Sequence, residues 1–243
     1  MRRILGYVVS PIHHISFFLV LCFFHPLQWI AIKFFGYKAH KKVVDVMNFF
    51  LVGTYYILGL RITFTGNQKL PLGQPIIFVV NHQSMYDVPA LIWFLRKYHA
   101  KFISKVELTK NIPSISFNLN HGGGANIDRK DARQSITEIL KLGQRMKDNN
   151  WSAVIFPEGT RSKDGVLKDF QVGGVATLLK KVPDALIVPI AINNSWKVVK
   201  NGTSWLMPGY HLKFTVFDPI DKKHKSVETL VAEARENIAD NLI

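Results

Sequence analysis

A histidine and an aspartate five positions apart, His82 and Asp87, follow closely on the apolar, β-branched run Ile76–Val80. A histidine is near half-protonated at neutral pH and can accept a hydroxyl proton. It does so better when a carboxylate holds its other ring nitrogen, because that contact fixes the tautomer and stabilises the imidazolium as it forms. A turn after Val80 would bring Asp87 back to the ring. The same aspartate also stands where it would cap a helix over 88–95. No serine or cysteine stands out as a nucleophile beside the pair. The chemistry suggested is direct deprotonation of an acceptor hydroxyl, a contribution of about two to four orders of magnitude in rate.

A second group follows the strand candidate Ser152–Phe156. Pro157 and Gly159 force a turn, and Thr160, Arg161, Ser162 and Lys163 set hydroxyl and cationic donors side by side. Arginine offers a planar fork that matches two phosphate oxygens, lysine adds a mobile point charge, and amides in a tight turn add donors. The stretch reads as a phosphate cradle without the spacing of a P-loop. Lys163–Gly165 reads equally as an ordinary surface turn. Glu158 has three open roles: orienting Arg161, contacting a substrate hydroxyl, or offsetting nearby positive charge. Lys105 and Arg129 could supply another arm around a phosphate; the alternative there is a solvated helix start with Asp131 as its cap. His121 reads as a loop histidine beside three glycines. Neither it nor any other histidine shows metal-ligand spacing, so no metal site is expected.

The elements that must position these groups alternate from Arg61 onward. Strands are expected over 61–66, 76–80, 101–104, 122–127, 152–156, 186–190 and 210–217. Helices are expected over 88–95, 131–146, 172–181 and 226–238. Pro189 argues that its strand is an edge or a strand end. The pattern is one α/β domain, a central mostly parallel or mixed sheet flanked by helices.

Residues 1–60 read differently. Two apolar runs, 15–32 and 43–60, are long enough to span a bilayer, but His25, Pro26 and Gln28 interrupt the first, and Asp45 and Asn48 lie in the second. Lysines at 33, 38, 41 and 42 lie between them, and Arg2 and Arg3 precede the first. Basic residues on both sides of one run fit a two-helix unit that dips into one leaflet better than a single span, with a spanning hairpin as the alternative. The expected division is 1–60, membrane-associating helices, and 61–243, the α/β domain. The 31 basic and 17 acidic residues give a net charge of +14, which favours anionic partners. A single cysteine, Cys22, excludes an intrachain disulfide framework. The basic residues are scattered, with neither a recognition helix nor an aromatic-basic platform, so nucleic acid is not expected as a partner.

Together these stretches resemble the glycerophospholipid acyltransferase family, in particular bacterial 1-acyl-glycerol-3-phosphate acyltransferases. Asn81-His82-Gln83-Ser84-Met85-Tyr86-Asp87 matches the family's NHxxxxD motif, and Phe156-Pro157-Glu158-Gly159-Thr160-Arg161-Ser162 is the full FPEGTRS motif. Gly124 to Arg129 is similar to the intervening GxxxIDR-type motif, and Val188-Pro189-Ile190 to the apolar-proline motif. The resemblance covers roughly residues 60–220. It implies that His82 is the base, oriented by Asp87, that deprotonates a glycerol hydroxyl for attack on a thioester. It places Glu158, Gly159, Thr160 and Arg161 at the acceptor site, with Arg129 and Lys105 near the acceptor phosphate. The implied donor is acyl-CoA or an acylated carrier protein, and the implied acceptor is the sn-2 hydroxyl of lysophosphatidic acid, giving phosphatidic acid. No cofactor, metal or acyl-enzyme is implied. The expected setting is an anionic phospholipid membrane, the bacterial inner membrane with the α/β domain on the cytoplasmic side. Ala125-Asn126 departs from the family's bulky apolar pair, which keeps another lysophospholipid acceptor open. A non-enzymatic basic membrane-surface or nucleic-acid-binding protein is the rival of a different class.

Overall fold

The computed structural model describes residues 2–66 and 69–243. The N-terminal quarter is a helical hairpin. α1 (Arg2–Ile30) runs through Pro11 and Pro26. A π-helical turn, Ala31–Phe35, and Gly36 at φ 76° reverse the chain. α2 (Gly36–Thr54) returns and ends in the 3₁₀ turn Tyr55–Leu58. The apolar run expected from residue 15 is therefore only the second half of a longer helix. Leu21 and Phe24 of α1 pack on Val44, Met47 and Leu51 of α2. Several polar residues of the pair point inward: Ser10, His13, Gln28, His40, Asn48 and Thr54 are buried, while Ile4, Val8, Ile12, Ile15, Leu19 and Phe23 lie exposed.

The remaining elements are β1 (Arg61–Thr65), β2 (Ile76–Val80), α3 (Asp87–Phe94), β3 (Ala100–Lys105), α4 (Ile115–His121), β4 (Ala125–Ile127) and α5 (Ala132–Asn149). They continue with β5 (Ser152–Ile155), α6 (Gly173–Lys181), β6 (Leu186–Asn193), α7 (Ser195–Val198), β7 (His211–Val216) and α8 (Val227–Ala239). The strands form one seven-stranded sheet in the order β1-β7-β6-β2-β5-β3-β4. Every neighbouring pair is parallel except β6 and β7. Both faces are covered, which is why β2 is apolar throughout and both β2 and β5 are buried along their length instead of alternating. One face packs on the hairpin and α3 through Val52, Tyr55, Tyr86, Leu91 and Leu95. The other packs on α5, α6 and α8 through Leu142, Met146, Leu178, Leu230 and Val231.

Two expectations need correction. β6 is a central strand, flanked by β2 and β7, not an edge. Pro189 is tolerated there because the antiparallel ladder with β7 begins only at Ile190, and the Pro189 carbonyl still accepts the Phe217 N–H at 3.1 Å. The strand expected over 122–127 shrinks to Ala125–Ile127, and the polar stretch before it forms α4, which ends in His121. Asn126 explains part of that difference: its Nδ2 donates to the Leu119 carbonyl at 2.8 Å and ties α4 to β4. Where the sheet meets α2, Lys101 of β3 is buried with its Nζ 5.0 Å from the Tyr37 ring and 4.8 Å from the Trp151 ring.

Candidate active site

β6, β2, β5, β3 and β4 are mutually parallel neighbours, so their C-terminal ends share one edge of the sheet. That edge is the usual place for function in open α/β sheets. The segments leaving it carry, in spatial order, Ser195, His82, Phe156 to Arg161, Lys105 and Arg129. Asn81 fixes the first of these junctions. Its side chain donates to the Ile192 carbonyl at 2.9 Å and accepts the Ile192 N–H at 2.7 Å, lacing the end of β2 to β6.

His82 Nδ1 lies 2.9 Å from Asp87 Oδ2. A carboxylate oxygen accepts, so Nδ1 carries the hydrogen and Nε2 keeps the lone pair. The His82 ring stacks on Phe156 at 4.1 Å between centroids, which restricts its rotation. Asp87 is fully buried, and its side chain is held from several sides. Oδ2 also accepts the amides of Gln83 at 2.8 Å and Ser84 at 2.9 Å. Oδ1 accepts the hydroxyl of Ser195 and, at 3.4 Å, that of Ser84. Asp87 does not cap α3. It opens that helix and turns its side chain back to the amides of the preceding turn. The Gln83 side chain accepts the Ser195 N–H at 3.1 Å, so the two segments hold each other.

Glu158 is buried and bridges two backbones. Oε1 accepts the His82 N–H at 2.7 Å and Oε2 accepts the Lys168 N–H at 3.1 Å. Burial raises its carboxyl above the ordinary range, opposed by those two amides. The Ser162 N–H donates to the His82 carbonyl at 2.7 Å, so the turn after β5 grips His82 through both of its backbone polar groups. Gly159 makes this turn at φ 69°, a left-handed conformation that favours glycine. Lys168 Nζ donates to Thr160 Oγ1 at 2.8 Å and to the Arg161 carbonyl at 2.9 Å, bracing the turn from below. Thr160 is thereby engaged within the protein. Arg161, on the same turn, is exposed. Asp164 accepts from Ser162 Oγ and the Val166 N–H, as an ordinary surface turn requires.

Lys105 ends β3 and pairs in register with Ile127, two residues before Arg129. Burial lowers the Arg129 guanidinium from its ordinary range; Glu107 opposes this and Arg161 adds to it. Arg129 and Arg161 therefore feel each other's like charge. Asp131 caps α5, its side chain accepting the Gln134 N–H at 2.9 Å. His121 is exposed, its Nδ1 lies 2.9 Å from the Phe117 carbonyl, and its ring stacks on that of Phe117. Among the described residues no group of His, Cys, Asp and Glu forms a metal cluster.

Sequence reasoning missed Ser195, Lys168 and a contact from α1. His13 Nδ1 lies 3.0 Å from the Thr54 carbonyl, so Nδ1 donates, and its Nε2 lies 3.1 Å from the hydroxyl of Tyr86, the neighbour of Asp87. Tyr55 donates to the Tyr86 carbonyl at 3.0 Å. The hairpin therefore supports the loop that carries the dyad. Nothing local in the sequence links position 13 or 195 to position 87.

The architecture matches that of a solved protein, the 1-acyl-sn-glycerophosphate acyltransferase PlsC from Thermotoga maritima. The TM-score is 0.82 at 21% identity, covering 99% of this chain and 95% of that one, a likeness of fold. Residues 61–193, more than half of the chain, match the Acyltransferase family, and the chain belongs to that family. It is 30% identical over 183 residues to the chloroplastic 1-acyl-sn-glycerol-3-phosphate acyltransferase LPAT1 of Arabidopsis thaliana, covering 75% of this chain and 49% of the relative. It is 36% identical over 126 residues to the 1-acyl-sn-glycerol-3-phosphate acyltransferase of Helicobacter pylori, covering 50% of each. The chain spans about half the length of the curated relatives it matches.

Proposed function

We propose that this protein transfers a fatty acyl group from a thioester, acyl-CoA or an acylated carrier protein, to the sn-2 hydroxyl of lysophosphatidic acid. The observation that carries the reading is the 2.9 Å contact between His82 Nδ1 and Asp87 Oδ2, with the Ser162 N–H of the turn that bears Arg161 bonded to the His82 carbonyl at 2.7 Å. In this scheme His82 Nε2 takes the hydroxyl proton as the oxygen attacks the thioester carbonyl. The imidazolium is stabilised by Asp87, and its proton passes to the departing thiolate as the tetrahedral intermediate collapses. The products are phosphatidic acid and a free thiol. Arg161, Arg129 and Lys105 hold the acceptor phosphate, while Glu158 and Gly159 shape the turn that connects the phosphate site to the base. The relatives described above from Arabidopsis thaliana and Helicobacter pylori are 1-acyl-sn-glycerol-3-phosphate acyltransferases, which supports this acceptor.

The hairpin is assigned to a membrane surface. Six polar residues, Ser10, His13, Gln28, His40, Asn48 and Thr54, are buried while a stripe of large apolar residues along α1 is exposed, the reverse of a helix face turned to water. Among the described residues, Arg2–Leu58 is the one stretch long and apolar enough to cross a membrane, and its most apolar part is largely unburied. α1 touches the α/β part from Ser10, bonded to the Leu206 amide, to His25, bonded to the Ser114 amide. At 1.5 Å per residue this attachment runs along about 22 Å of helix. A helix held at both of these points lies along the domain, which favours residence in one leaflet over a span.

The test is a panel of lysolipid acceptors with one acyl-CoA and one acylated carrier protein, with identification of the product. Phosphatidic acid as the dominant product supports the reading. Turnover of several other lysolipids with little of lysophosphatidic acid would overturn the acceptor assignment.

A further inference from the structure

The loop between α7 and β7, residues 199–210, carries an exposed tryptophan that no part of the proposed reaction uses. Trp205 is 46% exposed, and its ring meets Tyr7 of α1, 42% exposed, edge-on at 4.8 Å. The loop is not free to tuck this ring away. The Leu206 N–H donates to Ser10 Oγ at 2.8 Å, and the Met207 N–H donates to the Val198 carbonyl at 2.8 Å. The Gly209 N–H donates to the Leu58 carbonyl at 2.9 Å. Gly6 permits the approach: a β-carbon there would sit 2.5 Å from the Leu206 carbonyl oxygen. Trp205 is thus fixed on the flank of α1, beside the outward stripe that begins with Ile4 and Val8.

Basic side chains stand at both ends of this loop. Arg2 lies over the Tyr210 ring at 5.1 Å. Lys197 and Lys200 sit within 5.7 Å and 5.6 Å of the Trp196 ring. Asn201 donates to Met207 Sδ at 3.2 Å, which holds the Lys200 end of the loop against the Trp205 arm. Tryptophan and tyrosine concentrate at headgroup depth, where an apolar ring and a polar edge are both satisfied, and lysines beside them meet lipid phosphates.

We propose that the 199–210 loop is a second membrane contact, a headgroup-depth anchor for an anionic bilayer, built on the C-terminal half of the chain and continuous with the apolar face of α1. The proposal rests on the membrane assignment of the hairpin. Trp205 and Tyr7 enter the interface together, and Arg2, Lys197 and Lys200 face the phosphates. The anchor fixes the rotation of α1 about its own axis, and through His13 and Tyr86 that orientation reaches the loop bearing Asp87.

The experiment compares the full-length protein with Trp205→Ser and with the double variant Lys197→Glu, Lys200→Glu. Partition is measured into phosphatidylcholine vesicles with and without phosphatidylglycerol. Trp205→Ser is expected to weaken binding to both compositions by about tenfold. The charge-reversal pair is expected to weaken binding to the anionic vesicles alone, by about fivefold or more for each charge. Thermal unfolding checks that each variant is folded. Should Trp205→Ser destabilise the chain, Trp205→Phe with brominated-acyl lipid supplies the second readout. There the wild type is expected to lose a share of its quenched emission that the variant lacks. Unchanged partition of both variants, with the wild type bound, overturns the anchor and leaves the hairpin assignment standing. Unchanged partition with a raised KM for an acylated carrier protein makes this a protein-docking surface and equally overturns the anchor. A wild type that binds no vesicle overturns the hairpin assignment and the anchor with it.

Discussion

Replacing Asp87 by asparagine separates the charge of the dyad from its shape. The amide is isosteric with the carboxylate it replaces. Its oxygen can take the three donors now at Oδ2, namely His82 Nδ1 and the amides of Gln83 and Ser84. Its nitrogen then meets the Ser195 and Ser84 hydroxyls, which can rotate to accept. The tautomer of His82 is preserved and Nε2 still carries the lone pair. What is lost is the attraction between carboxylate and imidazolium. At an effective dielectric of about 20, unit charges about 4 Å apart attract by about 4 kcal/mol. Each 1.36 kcal/mol is about tenfold in rate, so kcat is expected to fall by about 10²- to 10³-fold. The KM for the acceptor should hold, since Arg161 and Arg129 are untouched. Steady-state acyl transfer to lysophosphatidic acid, with a melting curve to confirm folding, is the assay. A kcat within about threefold of wild type would show that the developing charge on His82 is not what Asp87 stabilises, and the dyad argument would fail.

Ser195→Ala leaves the charge of Asp87 and removes one donor. We expect kcat to drop about tenfold with the acceptor KM unchanged, since a hydrogen bond to a charged group is worth about 1.5–3 kcal/mol and only part of it bears on the ring. An unaltered kcat would mean that the Gln83 and Ser84 amides hold Asp87 unaided. Arg161→Ala should raise KM for lysophosphatidic acid by about 10- to 100-fold while sparing transfer to an acceptor without phosphate. Equal losses on both acceptors would remove Arg161 from the phosphate site. Lys101 gives a stability prediction. Burial, and next Lys41, lower its ammonium from 10.5 to about 7. With the folded pKa below the unfolded one, its favourable contribution is present above 10.5 and lost as pH falls toward 7. Lys101→Met is therefore expected to melt above wild type near neutral pH, by a margin that shrinks as pH rises toward 10.5, in thermal unfolding at several pH values. A constant or reversed margin would contradict this.

The sequence carried the parts of this protein that local patterning controls. β2 falls on the run Ile76–Val80, and Asp131 caps α5 as its position before a periodic helix suggests. The position of the two main motifs was equally legible, because each follows directly on an apolar strand run, while their membership rests on the family resemblance. What was not legible depends on contacts far apart in the chain. Pro189 sits in a central strand because β7 pairs only from the next residue onward, which no local pattern reveals. α4 was hidden by a polar composition, and its position owes much to Ser114, whose hydroxyl donates to the Leu21 carbonyl at 2.6 Å. Glu158 had three open roles in the sequence. The structure commits its two oxygens to the amides of His82 and Lys168, a bridge across 76 and 10 residues of chain. Ser195 reaches Asp87 across 108 residues, and only the adjacency of β6 and β2 brings it there.

The account's central claim is that the imidazole at position 82 removes the acceptor's proton. The rate of phosphatidic acid formation by His82→Ala, in a preparation that still melts and binds vesicles as the wild type does, tests it most directly. The account predicts a loss of about two to four orders of magnitude. Turnover near the wild-type rate in that variant would contradict it.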